Sequence, residues 1–287
     1  MAKPKILIQL DSDPHASIFD AVVAIDAEVD HLLQYHSVEP AQVRDLVHGA
    51  MFTRGPQDLK STAIFIGGAN VAAGERLLAA VKKCFFGPMR VSVMLDANGA
   101  NTTAAAAVLA AAKHIELSGA TVAVLGGTGP VGQRAARLLA GAGASVRVCS
   151  RDRERAEQAC EAIGQRVPRE RLSAHAAGDA ESAATAIAGC QVVIAAGAAG
   201  VELLSAEARR AAKDLQVAID LNAVPPAGIA GVDLMDKATE RDGVTCYGAI
   251  GVGGTKMKIH KAAIQRLFAA SDVVLDAEEI FELGKKL

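Results

Sequence analysis

The chain has 287 residues, of which 51% are hydrophobic and 3% aromatic, with no tryptophan and a formal net charge of −2 at pH 7. This length is enough for two lobes with substantial cores, and a composition rich in small aliphatic residues is typical of α/β nucleotide-binding enzymes rather than of disordered chains. The near-neutral charge gives no electrostatic basis for binding nucleic acid or an anionic membrane surface.

The cysteines and the apolar runs bear on the compartment. The five cysteines are scattered, odd in number and without a C-x-x-C pair, which indicates small buried thiols in a reducing environment rather than disulfides or a zinc site. The first apolar run, residues 6–10, is too short for a signal peptide, and the longest, residues 104–112, is well short of the roughly 20 residues of a membrane span. We therefore expect a cytoplasmic protein with no membrane partner.

In chain order, the first hundred residues alternate predicted strands and helices, which indicates a small α/β lobe. Apolar runs predict strands at residues 6–10, 61–66 and 91–95, and the stretches 17–25, 40–47 and 71–85 predict helices. The polar segment 96–103 then opens an alanine-rich helix to about residue 116, for which Asn101 or Thr102 is the expected cap. We place a lobe boundary at this point.

The following residues, 101–254, are predicted to form a second lobe built on a Rossmann-type parallel sheet. Its strands are expected at 121–125, 145–149, 171–175, 190–196 and 215–221, with helices at 133–139, 153–163 and 181–188. A glycine cluster at 248–258 precedes predicted helices at 259–268 and 277–283. We expect the last part of the chain, 255–287, to complete the smaller α/β lobe of residues 1–100, which would bind the substrate.

A glycine motif stands between the first strand and the first helix of the second lobe. Gly127, Gly129 and Gly132 have the G-x-G-x-x-G spacing. In dinucleotide-binding folds the first glycine permits a tight turn, the second lets the backbone approach the pyrophosphate, and the third lets the helix pack closely on the strand. The spacing alone also fits an ordinary turn in a chain with 27 glycines, but the strand before it and the helix after it favour dinucleotide binding.

The end of the next strand indicates which dinucleotide. NAD sites usually carry an acid there, about 20 residues after the first glycine, whereas this chain has Ser150 and Arg151. A hydroxyl and guanidinium groups would bind the 2′-phosphate of NADP, which an acid would repel. The alternative is the solvated first turn of a helix, which Asp152 leaves open. The predicted cofactor-binding residues are Gly127, Thr128, Gly129, Pro130, Val131, Gly132, Ser150, Arg151 and Arg155, with Ala196, Gly197 and Asn222 in loops after later strands.

Several motifs along nearly the whole chain occur together. They are SIFD at 17–20, FTRG at 52–55, STAIFIGG at 61–68, FFGP at 85–88, MLDANGANTTA at 94–104, GTGPVG at 127–132, PPAGI at 225–229 and the glycine-rich segment 248–260. In this combination the chain resembles the NADP-dependent methylene-tetrahydromethanopterin dehydrogenases of methylotrophic bacteria, a family with members that act on methylene-tetrahydrofolate. The resemblance implies a two-lobed homo-oligomeric enzyme in which NADP⁺ takes a hydride from the carbon bridging two pterin nitrogens. This reaction is expected to require no metal.

The resemblance also places a lysine of the glycine-rich segment beside the pterin, which makes Lys256 the first candidate for a catalytic residue and Lys258 the competing one. Hydride loss creates positive charge on the substrate, so a useful Lys256 must be neutral, displaced from the methenyl carbon or paired with an acid. Asp20 is the expected acid, with Asp11 or Asp13 as a further source of negative charge. Both lysines could instead be surface residues at the start of a helix. The predicted substrate-binding residues are Asp13, Asn98, Thr102 and Thr103. For the three in the polar segment 96–103, the alternative role is helix capping.

Two other functions stay open on the sequence. One is an NADP-linked dehydrogenase of another small metabolite, such as a shikimate-type hydroxy acid. The other is a non-catalytic NADP(H)-sensing protein that uses the same Rossmann lobe to switch a partner. Tetrahydromethanopterin and tetrahydrofolate both remain candidate carriers.

Overall fold

A computed structural model describes residues 3–287, which form two compact α/β units. The first unit comprises the described residues up to Thr102 together with Met257–Leu287, and the second is Thr103–Lys256. Each unit contains its own sheet with parallel strands, so the predicted α/β fold class is confirmed. Among the residues described, no helix has both the length and the apolarity needed to cross a membrane.

The elements alternate along the chain. The strands are β1 (Ile6–Leu10), β2 (His31–Tyr35), β3 (Thr62–Ile66), β4 (Ser92–Leu95), β5 (Thr121–Leu125), β6 (Ser145–Ser150), β7 (Leu172–Ala176), β8 (Val192–Ala195), β9 (Val217–Asp220), β10 (Lys237–Arg241), β11 (Val244–Tyr247) and β12 (Val274–Leu275). The helices are α1 (Ile18–Asp26), α2 (Val43–Phe52), α3 (Val71–Lys83), α4 (Ala100–Ala112), α5 (Pro130–Gly141), α6 (Arg153–Gly164), α7 (Ala180–Ile187), α8 (Ala206–Ala211), α9 (Ala249–Leu267) and α10 (Ala277–Gly284).

The first unit is organised around a five-stranded parallel sheet in the order β12-β4-β3-β1-β2. All five residues of β3 are buried, as expected for an apolar strand in the middle of a parallel sheet. Leu10 pairs with Ile66, and Ile66 pairs with Leu95, so β1, β3 and β4 end level with one another. The strand order reverses between β1 and β3, and ligands of open α/β sheets bind at the carboxyl edge beside such a reversal.

The second unit has a seven-stranded sheet in the order β10-β11-β9-β8-β5-β6-β7, of which only β10 is antiparallel to its neighbour among the described pairings. The six parallel strands follow the dinucleotide-binding order, with β5 as the first strand and the reversal between β5 and β8. Leu125 pairs with both Cys149 and Ala195, which brings the loops after β5, β6 and β8 to one edge.

Residues 249–258 of the glycine cluster are helical, and the predicted start of a helix at Ile259 is therefore wrong. It lies inside α9, which begins at Ala249. A Cβ atom at Gly248 would collide with the carbonyl oxygen of Asp233, and one at Gly251 with that of Asp236. Glycine at these two positions lets the beginning of α9 approach the backbone of the preceding loop.

Three further expectations differ from the structure. The strands β2, β10, β11 and β12 and the helix α8 were not predicted, and the helix expected at 40–47 is α2, at Val43–Phe52. Asn101 and Thr102 lie within α4 rather than capping it, because Asp96 accepts hydrogen bonds from both of their backbone N–H groups. A carboxylate before the helix thus occupies the position that the sequence assigned to an amide or hydroxyl.

The cysteines of the described residues are all free thiols, and four of them are buried. Burial raises the pKa of Cys149 to about 12, and it raises those of Cys160 and Cys246 to about 11. Such thiols stay protonated at neutral pH and pack as small apolar groups.

Candidate active site

The carboxyl edge of the first sheet is ordered by a buried aspartate. Asp11 follows β1 and has no exposed surface. Its Oδ1 accepts a hydrogen bond from the Asp13 backbone N–H at 2.9 Å, and its Oδ2 accepts one from the Ser17 backbone N–H at 3.1 Å. Ser17 in turn caps α1 by accepting from the Asp20 backbone N–H at 3.2 Å. Asp11 therefore fixes the loop that delivers Asp20 to this edge.

Loops from three strand ends are tied together there. The Asp13 carboxylate accepts a hydrogen bond from the Ala69 backbone N–H at 2.8 Å, which joins the loop after β1 to the loop after β3. The Asn98 backbone N–H donates to the Gly68 carbonyl at 2.6 Å, which joins the loop after β3 to that after β4. Asn98 adopts a left-handed conformation with φ of 56° and is exposed. The predicted substrate residues Asp13 and Asn98 are therefore parts of one cluster.

Two carboxylates converge on Gly67 in this cluster. A Cβ atom at Gly67 would lie 3.3 Å from a carboxylate oxygen of Asp11, 3.3 Å from one of Asp20 and 3.2 Å from the Phe65 ring. The site therefore leaves little room for a side chain at residue 67. Asp20 is half-buried, so its charge lies at the surface of this edge rather than in the core.

Behind this edge, Asp96 anchors a buried polar network. Its Oδ2 accepts a hydrogen bond from the Thr102 hydroxyl at 2.6 Å and lies 4.0 Å from Nδ1 of His260. The His260 ring has no exposed surface and stacks on Phe65, with ring centroids 5.6 Å apart. Thr102 is likewise fully buried, whereas the neighbouring Thr103 is half-buried. The structure thus gives Thr102 a supporting position behind the surface of the cluster.

His260 also defines the rotation of α9. Lys256 precedes His260 by four residues and lies on the same face of the helix, one turn earlier. Lys258 is two residues from Lys256 and is therefore rotated by about 200° to the other side. Lys256 is half-buried and Lys258 is exposed. The lysine on the side of the helix that carries His260 is Lys256.

In the second unit, the glycine loop makes close backbone approaches. Gly126, with φ of 71°, takes the left-handed turn that the sequence assigned to Gly127. A Cβ atom at Gly126 would lie 2.5 Å from Cα of Gly197, so the loops after β5 and β8 touch through two glycines. A Cβ atom at Gly132 would lie 2.5 Å from the Gly126 carbonyl oxygen, which explains the third glycine of the motif as a helix-to-strand contact.

The N-terminus of α5, the helix that follows this loop, has the features of an anion-binding site. Gly129 is the N-cap of α5 and Pro130 its first residue, while the Thr128 carbonyl accepts a hydrogen bond from the Gln133 side chain at 2.8 Å. The backbone N–H groups of a first helical turn, here including that of Val131, have no partner within the helix and favour bound phosphate.

Asp152, directly after β6, is the acid that left the choice between NAD and NADP open, and it already caps a helix. The Asp152 carboxylate caps α6 by accepting from the backbone N–H groups of Glu154 at 2.8 Å and Arg155 at 3.4 Å. Ser150 is the last residue of β6, and Arg151 and Arg155 are exposed beside it. The exposed groups of this strand end are thus guanidinium groups, whereas Ser150 is buried and its hydroxyl accepts a hydrogen bond from the Asp152 backbone N–H at 3.3 Å.

Asn222 and Asp220 organise the loop after β9. The Asn222 amide accepts from the Val224 backbone N–H at 3.0 Å and donates to the Pro226 carbonyl at 2.8 Å, so its side chain braces its own loop. Burial raises the pKa of Asp220, although backbone N–H groups, including that of Ile229 at 3.0 Å, hydrogen-bond to its carboxylate. Both residues line a cavity of about 250 Å³.

Sequence reasoning did not include Asp96, Asp220 or Gly126 among the site residues. The available signal was positional, because each of the three ends or directly follows a buried strand of a parallel sheet. Among the described residues, no group of three or more His, Cys, Asp or Glu side chains could hold a metal ion.

The fold and the two edges define a two-unit α/β protein with a dinucleotide-binding sheet. Residues 18–98 match the family described as methylene-tetrahydromethanopterin dehydrogenase, N-terminal, and residues 121–223 match the family described as NADP oxidoreductase, coenzyme F420-dependent. The chain is 46% identical over 285 residues to the bifunctional protein MdtA of Methylorubrum extorquens, covering 99% of each chain. It is 33% identical over 292 residues to the NAD(P)-dependent methylenetetrahydromethanopterin dehydrogenase of the same organism, covering 98% of each.

The chain therefore belongs to the methylene-tetrahydromethanopterin dehydrogenase family, and the predicted family is confirmed. Among solved structures, it is similar to shikimate 5-dehydrogenase from Listeria monocytogenes in complex with shikimate and NAD. The TM-score is 0.57, the identity is 15%, and the match covers 98% of this chain and 96% of the other. This likeness extends to the fold alone.

Proposed function

We propose that the protein is an NADP-dependent dehydrogenase that takes a hydride from the methylene carbon of a methylene-tetrahydropterin and yields the methenyl form, in cytoplasmic one-carbon metabolism. The carrier is tetrahydromethanopterin or tetrahydrofolate. The observation that carries the proposal is the match of 99% of the chain, at 46% identity, to a bifunctional protein of this family. The glycine loop between β5 and α5 supports the cofactor part.

The second unit is assigned to NADP⁺. The pyrophosphate would lie over the first turn of α5, where backbone N–H groups and the helix dipole favour negative charge. Ser150, Arg151 and Arg155 would bind the 2′-phosphate, and the exposure of the two guanidinium groups directly after β6, which ends at Ser150, supports this assignment. Ala196 and Gly197 would border the cofactor where the loops after β5 and β8 meet. Asn222 would shape the loop after β9 through its backbone contacts.

The first unit is assigned to the pterin. When the C–H bond breaks, its electron pair leaves as hydride to the nicotinamide, and a nitrogen lone pair forms the C=N⁺ bond of the methenyl product. A negative charge close to this cation lowers the barrier, and Asp20 beside Asp11 supplies one at the surface of the cluster. Asn98 and Thr103 would contact the substrate, whereas Asp13 and Thr102 would hold the loops that present them.

Lys256 is assigned to orienting the pterin rather than to the carbon that reacts. An ammonium group beside the methenyl carbon would oppose the developing cation, so the lysine must act at a polar group elsewhere on the pterin. The buried His260, which stacks on Phe65, fixes the rotation of α9. Lys256 lies one turn earlier on the same side of the helix, which supports Lys256 over Lys258. The chain would work as an assembly of identical subunits on a small-molecule substrate.

A spectrophotometric assay of NADP⁺ reduction tests the function. Purified protein is given methylene-tetrahydromethanopterin, methylene-tetrahydrofolate or shikimate, each with NADP⁺ or NAD⁺. We expect NADPH to form with at least one of the two pterins and not with shikimate. Turnover of neither pterin, together with tight NADPH binding, would instead support a sensing protein.

A further inference from the structure

Two of the motifs noted in the sequence lie at the amino edge of the first sheet, opposite the candidate site. FTRG at 52–55 stands between α2 and β3, and FFGP at 85–88 stands between α3 and β4, where a parallel sheet has its amino edge. Phe52 and Phe86 of these motifs contact each other with ring centroids 6.1 Å apart, yet they are 58% and 51% exposed. This aromatic pair therefore lacks the cover that large apolar side chains usually have.

A groove between α2 and α3 adjoins the aromatic pair. It has a volume of about 490 Å³ and is lined by three cations, Arg44, Arg76 and Lys83, and by no Asp or Glu among the described residues. Arg44 lies two turns before Phe52 on the same side of α2. Lys83 ends α3 and precedes Phe86 by three residues. The groove and the aromatic pair thus form one surface, basic along the groove and apolar at its end.

The cations of this groove are available to a ligand. Arg76 and Lys83 are exposed and form no hydrogen bond or ion pair with another residue that the structure describes. The Arg44 guanidinium pairs with the carboxylate of its neighbour Asp45 at 3.3 Å, and an exposed pair of this kind contributes little stability. The whole chain has a net charge of −2, so the positive groove is a local feature. A negatively charged partner is therefore the complementary one.

We propose that this surface binds an acidic amphipathic helix of a different protein. The α2/α3 surface, as we call it, comprises Arg44, Phe52, Arg76, Ala80, Lys83 and Phe86. Ala79 and Ala80 line the groove between the two helices, and small side chains there let a third helix approach closely. The apolar face of that helix covers the aromatic pair, and its carboxylates accept charge-assisted hydrogen bonds from the guanidinium groups. Aromatic residues and arginine are enriched at protein interfaces.

The shape of the α2/α3 surface favours a protein over a membrane or a nucleic acid. A flat bilayer does not fill a concave groove between two helices. Single-stranded nucleic acid needs a cationic track along its backbone and free ring faces on which its bases stack. Here the described residues place three cations in the groove, and the rings of Phe52 and Phe86 lie against each other with their planes at 47°. The surface shares no residue with the candidate active site, so the proposal does not depend on the proposed activity.

Fluorescence anisotropy with a synthetic helix tests the binding. The probe is a labelled peptide of about 18 residues, long enough to form a helix, with Leu at i, i+3, i+4 and i+7 and Glu and Ala elsewhere. The comparison probes are a peptide with the same composition in scrambled order, a single-stranded oligonucleotide and vesicles of anionic lipid. We expect the full-length wild type to bind the amphipathic peptide saturably, at least about tenfold more tightly than the scrambled peptide and less tightly at high salt.

Matched variants locate the site of binding. Arg76→Glu and Phe52→Ser change the basic and the apolar part of the surface, and each should raise the dissociation constant of the peptide at least about tenfold. Arg210→Glu and Met235→Ser are the controls, because Arg210 is an exposed arginine and Met235 a 66% exposed apolar residue of the second unit. Both controls should bind the peptide as the wild type does. Circular dichroism checks that all four variants are folded.

Three results would overturn the proposal. The first is that the wild type does not bind the amphipathic peptide saturably. The second is that the two control variants weaken binding as much as Arg76→Glu and Phe52→Ser do. The third is that the oligonucleotide or the vesicles bind more tightly than the peptide and lose binding in the same two variants, which would assign the surface to another class of partner.

Discussion

The carboxylates of the cluster in the first unit differ in how deeply they are buried. Asp11 is buried and accepts backbone hydrogen bonds, and Asp96 is buried and holds Thr102. Asp20 is half-buried, and its carboxylate lies with that of Asp11 around Gly67. Negative charge near a developing cation is worth more in a site shielded from water than at a free surface. Asp20 is therefore the carboxylate of this cluster best placed to act on a ligand.

The two lysines of α9 give a matched pair of substitutions at this scale. Lys256→Ala should lower kcat by about 100-fold, the usual cost of removing one oriented polar group from an active site, while the KM for NADP⁺ stays nearly unchanged. Lys258→Ala should leave both constants near those of the wild type, because Lys258 is exposed and points to the other side of the helix. Steady-state kinetics with the preferred pterin measure both. Equal losses in the two variants would remove Lys256 from the active site.

At the scale of single elements, α9 shows why glycines can lie inside a long helix. Gly251 is in contact with the backbone of the loop around Asp236, whereas a Cβ atom at Gly254 would meet nothing within 4 Å. The loop itself is fixed by an ion pair. Burial alone would raise the pKa of Asp236, but the hydrogen bonds and charge of Arg241, together with a hydrogen bond from the Asp233 backbone N–H, outweigh it and hold the pKa below its usual range. The loop therefore cannot move aside easily.

Alanine at these two glycines should have opposite effects on stability. Gly251→Ala should destabilise the protein by about 3 kcal/mol or more, because the added methyl group meets backbone that cannot repack. Gly254→Ala should stabilise it by about 0.5–1 kcal/mol, the usual gain when alanine replaces glycine within a helix. Urea unfolding followed by circular dichroism gives both values. A destabilised Gly254→Ala would show that this position needs glycine for another reason.

The predicted elements are specified by neighbouring residues, whereas the missed ones depend on contacts distant in sequence or lack an apolar pattern. The strand, glycine turn and helix at 121–141 are specified by neighbouring residues, and the structure has them at β5 and α5. The helical state of 249–258 depends instead on contact with the loop at 233–237, more than ten residues away. β2 and β10 are edge strands without an alternating apolar pattern, so hydrophobic periodicity could not reveal them.

The same distinction applies to the candidate site. Gly127, Gly129 and Gly132 follow a spacing rule whose reasons are local. The convergence of Asp11 and Asp20 on Gly67 requires β1 and β3 to pair with Leu10 opposite Ile66, which no local pattern specifies. The role of Asp96 as the partner of the first backbone groups of α4 likewise depends on the turn at Ala97–Gly99.

At the scale of the whole molecule, the proposal assigns NADP⁺ to the second unit and the pterin to the first, so cofactor binding can be tested without substrate. A ligand that binds only the folded protein stabilises it by about 2.7 kcal/mol at 100 times its dissociation constant, which for a chain of this size is a shift of several degrees in the unfolding temperature. NADP⁺ should therefore raise the unfolding temperature well above the value reached with the same concentration of NAD⁺, because only NADP⁺ carries the 2′-phosphate for Ser150, Arg151 and Arg155.

Arg151→Ala should remove most of that difference. Losing one charge-assisted hydrogen bond at an exposed site weakens NADP⁺ binding by about tenfold, while NAD⁺ has no phosphate to lose. Arg44→Ala is the matched control, since Arg44 is an exposed arginine of the first unit whose partner is its neighbour Asp45. Differential scanning fluorimetry of the three proteins with each nucleotide decides the point. If NADP⁺ and NAD⁺ stabilise the wild type equally, or if Arg151→Ala weakens both alike, the guanidinium beside β6 does not read the 2′-phosphate.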